Sequence, residues 1–349
     1  MKKPITIKEI ATLAGVSIAT VSRVLNNNSW VSDKTRAKVT QVIEENNFSP
    51  NLIARGMVSK KTRTLAVVVS DITNPYFVML VAQIESECLN IGYKITLFDT
   101  QSANKNKSAY TADIEESIFN TIIDSQIDGV IILGGNIDYI DIPEGYVQAL
   151  QQLIETVPVV VVGRAVKHLN YTCVERDQTM SVTQITDYLI KRGHKRIGFI
   201  GGSPNVYVTK ERVAEFKKKM ASSGIPVNEN LIVMSNFYLK NGYEAACAII
   251  QNEAELPEAL IAINDQVAMG AIRAFKDNNI AIPQDISIVS CEYFPGSEYY
   301  IPRITSVDHQ MPLIGRAALD RMLHLLGASN LAPALDEIEP KLIAGESCA

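Results

Sequence analysis

Two hydrophobic rhythms divide this chain. Up to residue 57 apolar positions recur at helical spacing, and from Leu65 onward they gather into short solid runs separated by amphipathic stretches. In the first part Ile7, Ile10, Ala11 and Ala14 fall on one helix face. Thr6-Ile7-Lys8-Glu9 has the composition of a capping box, and Gly15 is a natural stop. Ser17 caps a second helix two residues later, with Val21, Val24 and Leu25 turned inward. So tight a turn predicts a steep crossing, the helix-turn-helix arrangement. Ser32 opens a third helix whose Ala37, Val42 and Ile43 close a miniature core, with Trp30 at its entrance. Pro50 ends that helix, and Asn51 can cap one further short helix carrying Arg55. A helix that short needs something to pack against.

The second part reads as alternating strands and helices. Runs at 65–69, 94–98, 129–133 and 157–162 predict four strands, and runs at 196–200, 231–234, 259–263 and 286–289 predict four more. Helices are expected from Asn74-Pro75, through Ile114, Ile118 and Ile122, and at about 178–192, 206–223, 241–252 and 265–278. Apolar runs without alternation indicate parallel strands buried on both faces. Eight such units, split four and four, predict two doubly wound parallel-sheet subdomains. In such sheets ligands sit beyond the carboxyl ends of the strands, here between the lobes. The strand ends are polar or glycine-rich: Ser70-Asp71, Asp99-Thr100, Gly163-Arg164, Gly201-Gly202, Asn264-Asp265 and Glu292-Tyr293.

Charge sharpens the division. The whole chain of 349 residues carries a formal −5. Residues 1–64 hold eleven Lys and Arg against four acids, which makes that segment +7 and leaves −12 for 65–349. A cationic head on an acidic body suits a partner with phosphates, engaged by the head alone and weakened steeply by salt. The outer face of the second helix is small, polar or cationic: Ile18, Ala19, Ser22, Arg23 and Asn26. Such a face enters a major groove, where Arg23 can fork onto guanine and Ile18 and Ala19 can meet thymine methyls. An ordinary small helical bundle with a solvated face is the competing reading of the helix pair alone.

The five cysteines are odd in number and lack C-x-x-C spacing, as expected of reduced thiols in a cytoplasmic protein. No apolar run reaches the ~20 residues of a membrane span, and none precedes the first helix. The four histidines have no metal-ligand spacing, and neither a P-loop nor G-x-S-x-G occurs. Neither a metal, a cofactor nor catalysis is expected.

The residues resemble the lactose/galactose-repressor (LacI/GalR) family. The likeness runs through GVSIATVSRVLN (15–26) and SPNLIARGM (49–57). It continues at Asp71 with Asn74-Pro75-Tyr76-Phe77, Asp128-Gly129, Gly193-His194, Arg212, Asn264-Asp265-Gln266 with Met269-Gly270, and Ile301-Pro302 with Thr305. The resemblance implies a helix-turn-helix domain over 1–49, a hinge helix and linker over 50–61, and a periplasmic-binding-protein-like core over 62–341. That core would comprise an N-subdomain of about 62–163 and 292–324 and a C-subdomain of about 164–291 and 325–341, followed by a tail at 342–349. Chain crossings near 163, 291 and 325 would form the hinge between lobes.

It further implies a homodimeric repressor on a palindromic operator, switched by a small-molecule effector such as a sugar, glycoside or sugar acid. An activator, a cytoplasmic sugar-binding protein of the same fold, and an enzyme are the alternatives. The expected DNA-facing residues are Thr6, Ser17, Ile18, Ala19, Thr20, Ser22, Arg23 and Asn26, then Asn51, Ala54, Arg55 and Met57 of the linker. Met57 would be the lever inserted into a central minor-groove step. The adjacent Gly56 costs up to ~1 kcal/mol of helix stability.

Expected effector-binding residues are Ser70, Asp71, Phe77, Asp99, Arg164, Arg212, Phe237, Asn264, Asp265, Glu292 and His309. Arg212 matches the family's effector-clamping arginine, since guanidinium forks onto hydroxyls, carboxylate or phosphate. Asp265 reads equally as a helix cap, and Phe77 and Phe237 equally as core. Glu292 stands where the family places an aspartate, and Gly163 stands where many sugar-responsive members carry one. With both acidic positions altered, a larger glycoside, or a sugar acid held by Arg164 and Arg212, is expected alongside a neutral sugar.

Overall fold

The computed structural model describes residues 5–25, 30–46, 48, 62–102, 111–328 and 338–349. Contacts divide the chain into two units between Thr62 and Arg63.

In the first unit, helices α1 (Ile7–Ala14), α2 (Ile18–Leu25) and α3 (Asp33–Glu45) surround a small core. The Thr6 capping box forms: Glu9 N donates to the Thr6 hydroxyl at 3.3 Å and Thr6 N donates to the Glu9 carboxylate at 2.7 Å. Gly15 ends α1 at φ +62°, in the left-handed region that glycine tolerates. Ile10, Ala14, Val21 and Val39 are fully buried, with Val42, Ile43 and Phe48 packed against them. Two expectations fail here. Ala37 is exposed, because the inward stripe of α3 runs Val39, Val42, Ile43 and leaves residue 37 on the opposite face. Trp30 is 89% exposed, since aliphatic side chains already fill so small a core. The expected hinge helix falls outside the described residues.

The second unit begins with β1 (Thr64–Val69), α4 (Pro75–Asn90), β2 (Lys94–Asp99), α5 (Thr111–Asp124), β3 (Gly129–Leu133), α6 (Glu144–Thr156), β4 (Val159–Val162) and β5 (Thr172–Val174). All five strands run parallel in the order β2-β1-β3-β4-β5. Successive residues point to opposite faces and build two apolar layers. Leu65, Val67, Val69, Ile131 and Val160 face one layer, and Ala66, Val68, Val130, Ile132 and Val161 face the other.

The second lobe contains α7 (Gln178–Lys191), β6 (Ile197–Ile200), α8 (Tyr207–Ser222), β7 (Ile232–Val233), α9 (Leu239–Asn252), β8 (Ala259–Ala262), α10 (Asp265–Asp277), β9 (Ser287–Ser290) and β10 (Thr305–Asp308). The chain then forms α11 (Met311–Leu325) and β11 (Lys341–Ile343). The sheet order is β11-β10-β9-β8-β6-β7, with only β11 antiparallel. Read from β6, the parallel strands repeat the permutation of the first sheet. Helices α9 and α10 meet backbone to backbone: a Cβ on Gly270 would lie 1.9 Å from the Leu239 carbonyl oxygen.

Sheet membership moves two expected crossings. β5 completes the first sheet, so the chain changes lobe at 175–177 rather than near 163. β10 joins the second sheet, so the return comes at 309–310 rather than near 291. α11 then packs its Met311, Ile314, Ala318 and Met322 into the first lobe. The tail expected at 342–349 is anchored to the second lobe. Ser347 is fully buried and its hydroxyl accepts from Thr305 N at 2.9 Å. Among the described residues no helix is long and apolar enough to cross a membrane.

Candidate functional site

In the head, Ser17 N-caps α2: its hydroxyl accepts from Thr20 N at 3.1 Å and lies 2.9 Å from the Thr20 hydroxyl. Both side chains therefore hold the helix start in place. Ser17, Ile18, Ala19 and Arg23 are exposed and Thr20 and Ser22 half-buried; Ile18, Ala19, Ser22 and Arg23 lie on the side away from the buried Val21 and Val24. Thr6 is exposed at the start of α1. Asn26, Asn51, Ala54, Arg55, Gly56 and Met57 lie outside the described residues.

In the second unit a cavity of about 560 Å³ opens between the lobes, at the carboxyl ends of both sheets. Ser70 reaches it from the end of β1, Gly134 and Gly135 from β3, Gly163 from β4, Ser203 from β6, Asn236 from β7, Asn264 from β8 and Glu292 from β9. This is where doubly wound sheets place ligands. Phe77 and Phe237 contribute apolar wall.

Its electrostatic centre is a carboxylate between two guanidinium groups. Glu292 takes Arg176 Nη1 at 2.8 Å on one oxygen and Arg212 Nη1 at 3.4 Å on the other. Burial alone would raise the Glu292 carboxyl, but Arg176, then Arg212, hold it down at about 2. Arg212, 1% exposed, also donates to the Ile263 carbonyl at 2.9 Å and to Gln178 Oε1 at 3.1 Å. Its Nε finds no partner among the described residues. Arg176 stacks over the Tyr76 ring, 4.8 Å from its centroid.

Of the eleven expected effector residues, Ser70, Phe77, Arg164, Arg212, Phe237, Asn264 and Glu292 line the cavity. Four do not. Asp71 accepts from Thr73 N at 2.8 Å and from the Tyr238 hydroxyl across the cleft. Asp99 caps the turn after β2, accepting from Gln101 N at 3.2 Å. Asp265 is fully buried and receives Phe294 N and the Ser306 hydroxyl, each at 2.9 Å. His309 sits behind Arg212, with Nε2 3.1 Å from the Cys291 carbonyl oxygen, and burial pushes its imidazole down to about 3, so it is neutral. Arg164 reaches the cavity, but Nε and Nη2 are bound to the carbonyls of Ile137 and Tyr139, and the group stacks 4.6 Å over Tyr207. Asn264 lines the site while its side chain accepts from Val267 N at 2.9 Å, so the N-cap of α10 is Asn264 and not Asp265.

Further ties cross the cleft: Ile140 N donates to the Asn205 carbonyl at 2.9 Å, beside a bridge between Tyr139 and Val206.

Comparison with known proteins agrees with both halves of this description. Residues 6–51 match the model of bacterial regulatory proteins of the lacI family, and residues 186–348 match a periplasmic binding protein-like domain. Catabolite control protein A of Priestia megaterium is 32% identical over 316 residues, 90% of each chain. The chain belongs to the lacI family. Another relative is the HTH-type transcriptional repressor PurR of Photobacterium profundum, 27% identical across 98% of both chains. The lac repressor dimer bound to operator and the anti-inducer ONPF superposes with a TM-score of 0.85 at 23% identity, over 99% of this chain and 100% of that one. The last likeness concerns the fold.

Sequence reasoning misses several residues of this lacI-family cavity. Arg176, Tyr76, Asp138 and Gln178 all line it, and Tyr238 ties its mouth. Tyr76 stands inside the Asn74-Pro75-Tyr76-Phe77 motif, where the sequence favours its neighbour Phe77. Arg176 precedes the Asp177 cap of α7, and its partner Glu292 is 116 residues away, so no local spacing marks the pair.

Proposed function

We propose that this lacI-family protein is a DNA-binding transcriptional repressor whose operator affinity is set by a small polyhydroxylated effector held between the two lobes of its core. One observation carries the reading: a single chain combines an exposed polar, cationic face on α2 with a walled cavity centred on the Arg176–Glu292–Arg212 array. Residues 1–49 would read DNA, 50–61 would form a hinge, and Asn51, Ala54, Arg55 and Met57 would grip the minor groove. Two-fold symmetric heads require a palindrome, which a homodimer of this chain would supply. The protein would work in the cytoplasm and carry out no catalysis. Within the cavity Arg212, Glu292 and Asn264 would supply polar contacts and Phe77 and Phe237 a stacking wall.

Footprinting on the DNA flanking its own gene, with and without candidate carbohydrates, tests the whole reading. Protection of a palindrome that a carbohydrate alters supports it. Removing residues 1–60 should abolish that footprint while preserving ligand-induced thermal stabilisation of the core. Operator binding by the truncated chain, or stabilisation by purines or nucleosides alone, would overturn it.

A further inference from the structure

The cavity's cations are held by the protein itself. Arg176 faces Glu292, Arg212 is shared by Glu292, Gln178 and a carbonyl, and Arg164 is bonded to two carbonyls. Asp138 is different. It ends the short 3-10 turn Asn136–Asp138 beyond β3 and lines the cavity. Among the described residues its carboxylate accepts no hydrogen bond, and the nearby guanidinium groups of Arg164 and Arg176 act on it only through their fields.

Two glycines make room for it. A Cβ on Gly163 would lie 3.2 Å from Asp138 Oδ1, and one on Gly134 would lie 3.1 Å from Oδ2. A side chain at Gly163 would thus meet the Asp138 carboxylate first and one at Gly134 would meet it just after the Phe77 ring, and Asp138 itself lines the cavity. Asp138 is half-buried, and its carboxylate, given no donor by the described residues, is open to donors from a molecule in the cavity. Consistent with that, burial raises its carboxyl to about 6 against the pull of Arg164 and then Arg176.

We propose that Asp138 is the specificity-determining residue of the cavity: it accepts hydrogen bonds from adjacent hydroxyl groups of an uncharged carbohydrate and rejects ligands that bring an anionic group to that end. The inference rests on the reading of the cavity as a polyhydroxyl site, and it removes the sugar acid held by Arg164 and Arg212 that the sequence suggested. An acid there would face Asp138, and it would find Arg212 shared by Glu292, Gln178 and the Ile263 carbonyl and Arg164 bonded through Nε and Nη2.

The test is calorimetric titration of the full-length protein with glucose, galactose, cellobiose and sucrose, and with glucuronate and galacturonate. At least one neutral sugar should bind and neither uronate should. Asp138→Asn and Asp138→Ala should each weaken that sugar roughly 10- to 100-fold, the usual range for losing a charged hydrogen-bond acceptor. Adding Gly163→Asp to the Asp138→Ala protein should restore most of the affinity, because its carboxylate would enter the vacated space. That rescue separates a ligand contact from a folding defect. Unchanged binding in both single variants, or preference for a uronate, overturns the proposal while leaving the proposed function standing. Binding of no sugar by the unaltered protein defeats both.

Discussion

Replacing Glu292 with glutamine would leave two buried guanidinium groups facing a neutral amide. Three observations set the magnitude. The Arg176 and Glu292 side chains are 11% and 8% exposed, so water screens little of the pair, and Arg212 on the other side is almost wholly buried. The Glu292 carboxyl stands at about 2 rather than 4.5 in spite of burial. Carried through linkage, that displacement corresponds to about 3 kcal/mol of folding stability at neutral pH. Breaking a buried ion pair from one side costs a similar ~3–5 kcal/mol. Because the folded state depresses the carboxyl, its contribution is complete above about 4.5 and disappears as pH falls toward 2. Glu292→Gln should therefore lose about 3 kcal/mol at pH 7 in urea denaturation followed by far-ultraviolet circular dichroism, and the gap from the unaltered protein should narrow as pH drops below 4.5. A loss under about 1 kcal/mol at neutral pH, or a gap independent of pH, would show that the array is electrostatically idle.

Glu115 behaves in the opposite sense. It is 1% exposed, and burial lifts its carboxyl to about 7 against hydrogen bonds from Ser102, Asn136 and Thr100. Its favourable contribution is complete below 4.5 and lost as pH climbs through 7, so Glu115→Gln should gain up to about 3 kcal/mol on the unaltered protein between pH 5 and pH 8 in parallel melts. Parallel curves would refute this. Gly270→Ala should cost about 3 kcal/mol by overpacking, since the added methyl meets rigid helix backbone; a melting temperature within a degree or so of the parent would deny the close crossing. Tyr238→Phe removes one hydroxyl that spans the cleft to Asp71 and should enlarge the radius of gyration measured by small-angle scattering without ligand. An identical scattering curve would mean that the remaining bridges suffice.

Much of the architecture was legible because burial on both faces forces a sequence signature. Strands such as Leu65–Val69 and Gly129–Leu133 sit in the middle of a sheet and consist almost entirely of aliphatic residues. The helices announced themselves through caps such as Asn74-Pro75. Strands at the margins escaped notice: Thr172-Cys173-Val174 and Lys341-Leu342-Ile343 are three residues long, and Thr305–Asp308 mixes polar with apolar. Missing them misplaced the lobe crossings. The site was half legible for a related reason. Residues directly after long strands, including Ser70, Gly163, Asn264 and Glu292, were found by position. Asp138 and Arg176 arrive from a turn and from a crossing segment, and only tertiary structure says where these point. Proximity to a strand end also misled, because Asp71, Asp99 and Asp265 stabilise turns and neighbouring loops there.

The position of α11 bears on how the protein is born. Its apolar side completes one layer of the first lobe, against Leu65, Val67 and Ile131, yet it lies at 311–325, after the whole second sheet except β11. On a ribosome the opening lobe must wait from Val174 to Leu325, about two-fifths of the chain, with part of that layer uncovered, a period in which exposed apolar surface invites chaperones or aggregation. Shortening the interval by circular permutation, so that α11 is synthesised beside α4, should raise the yield of folded nascent chains even if the finished protein is no more stable.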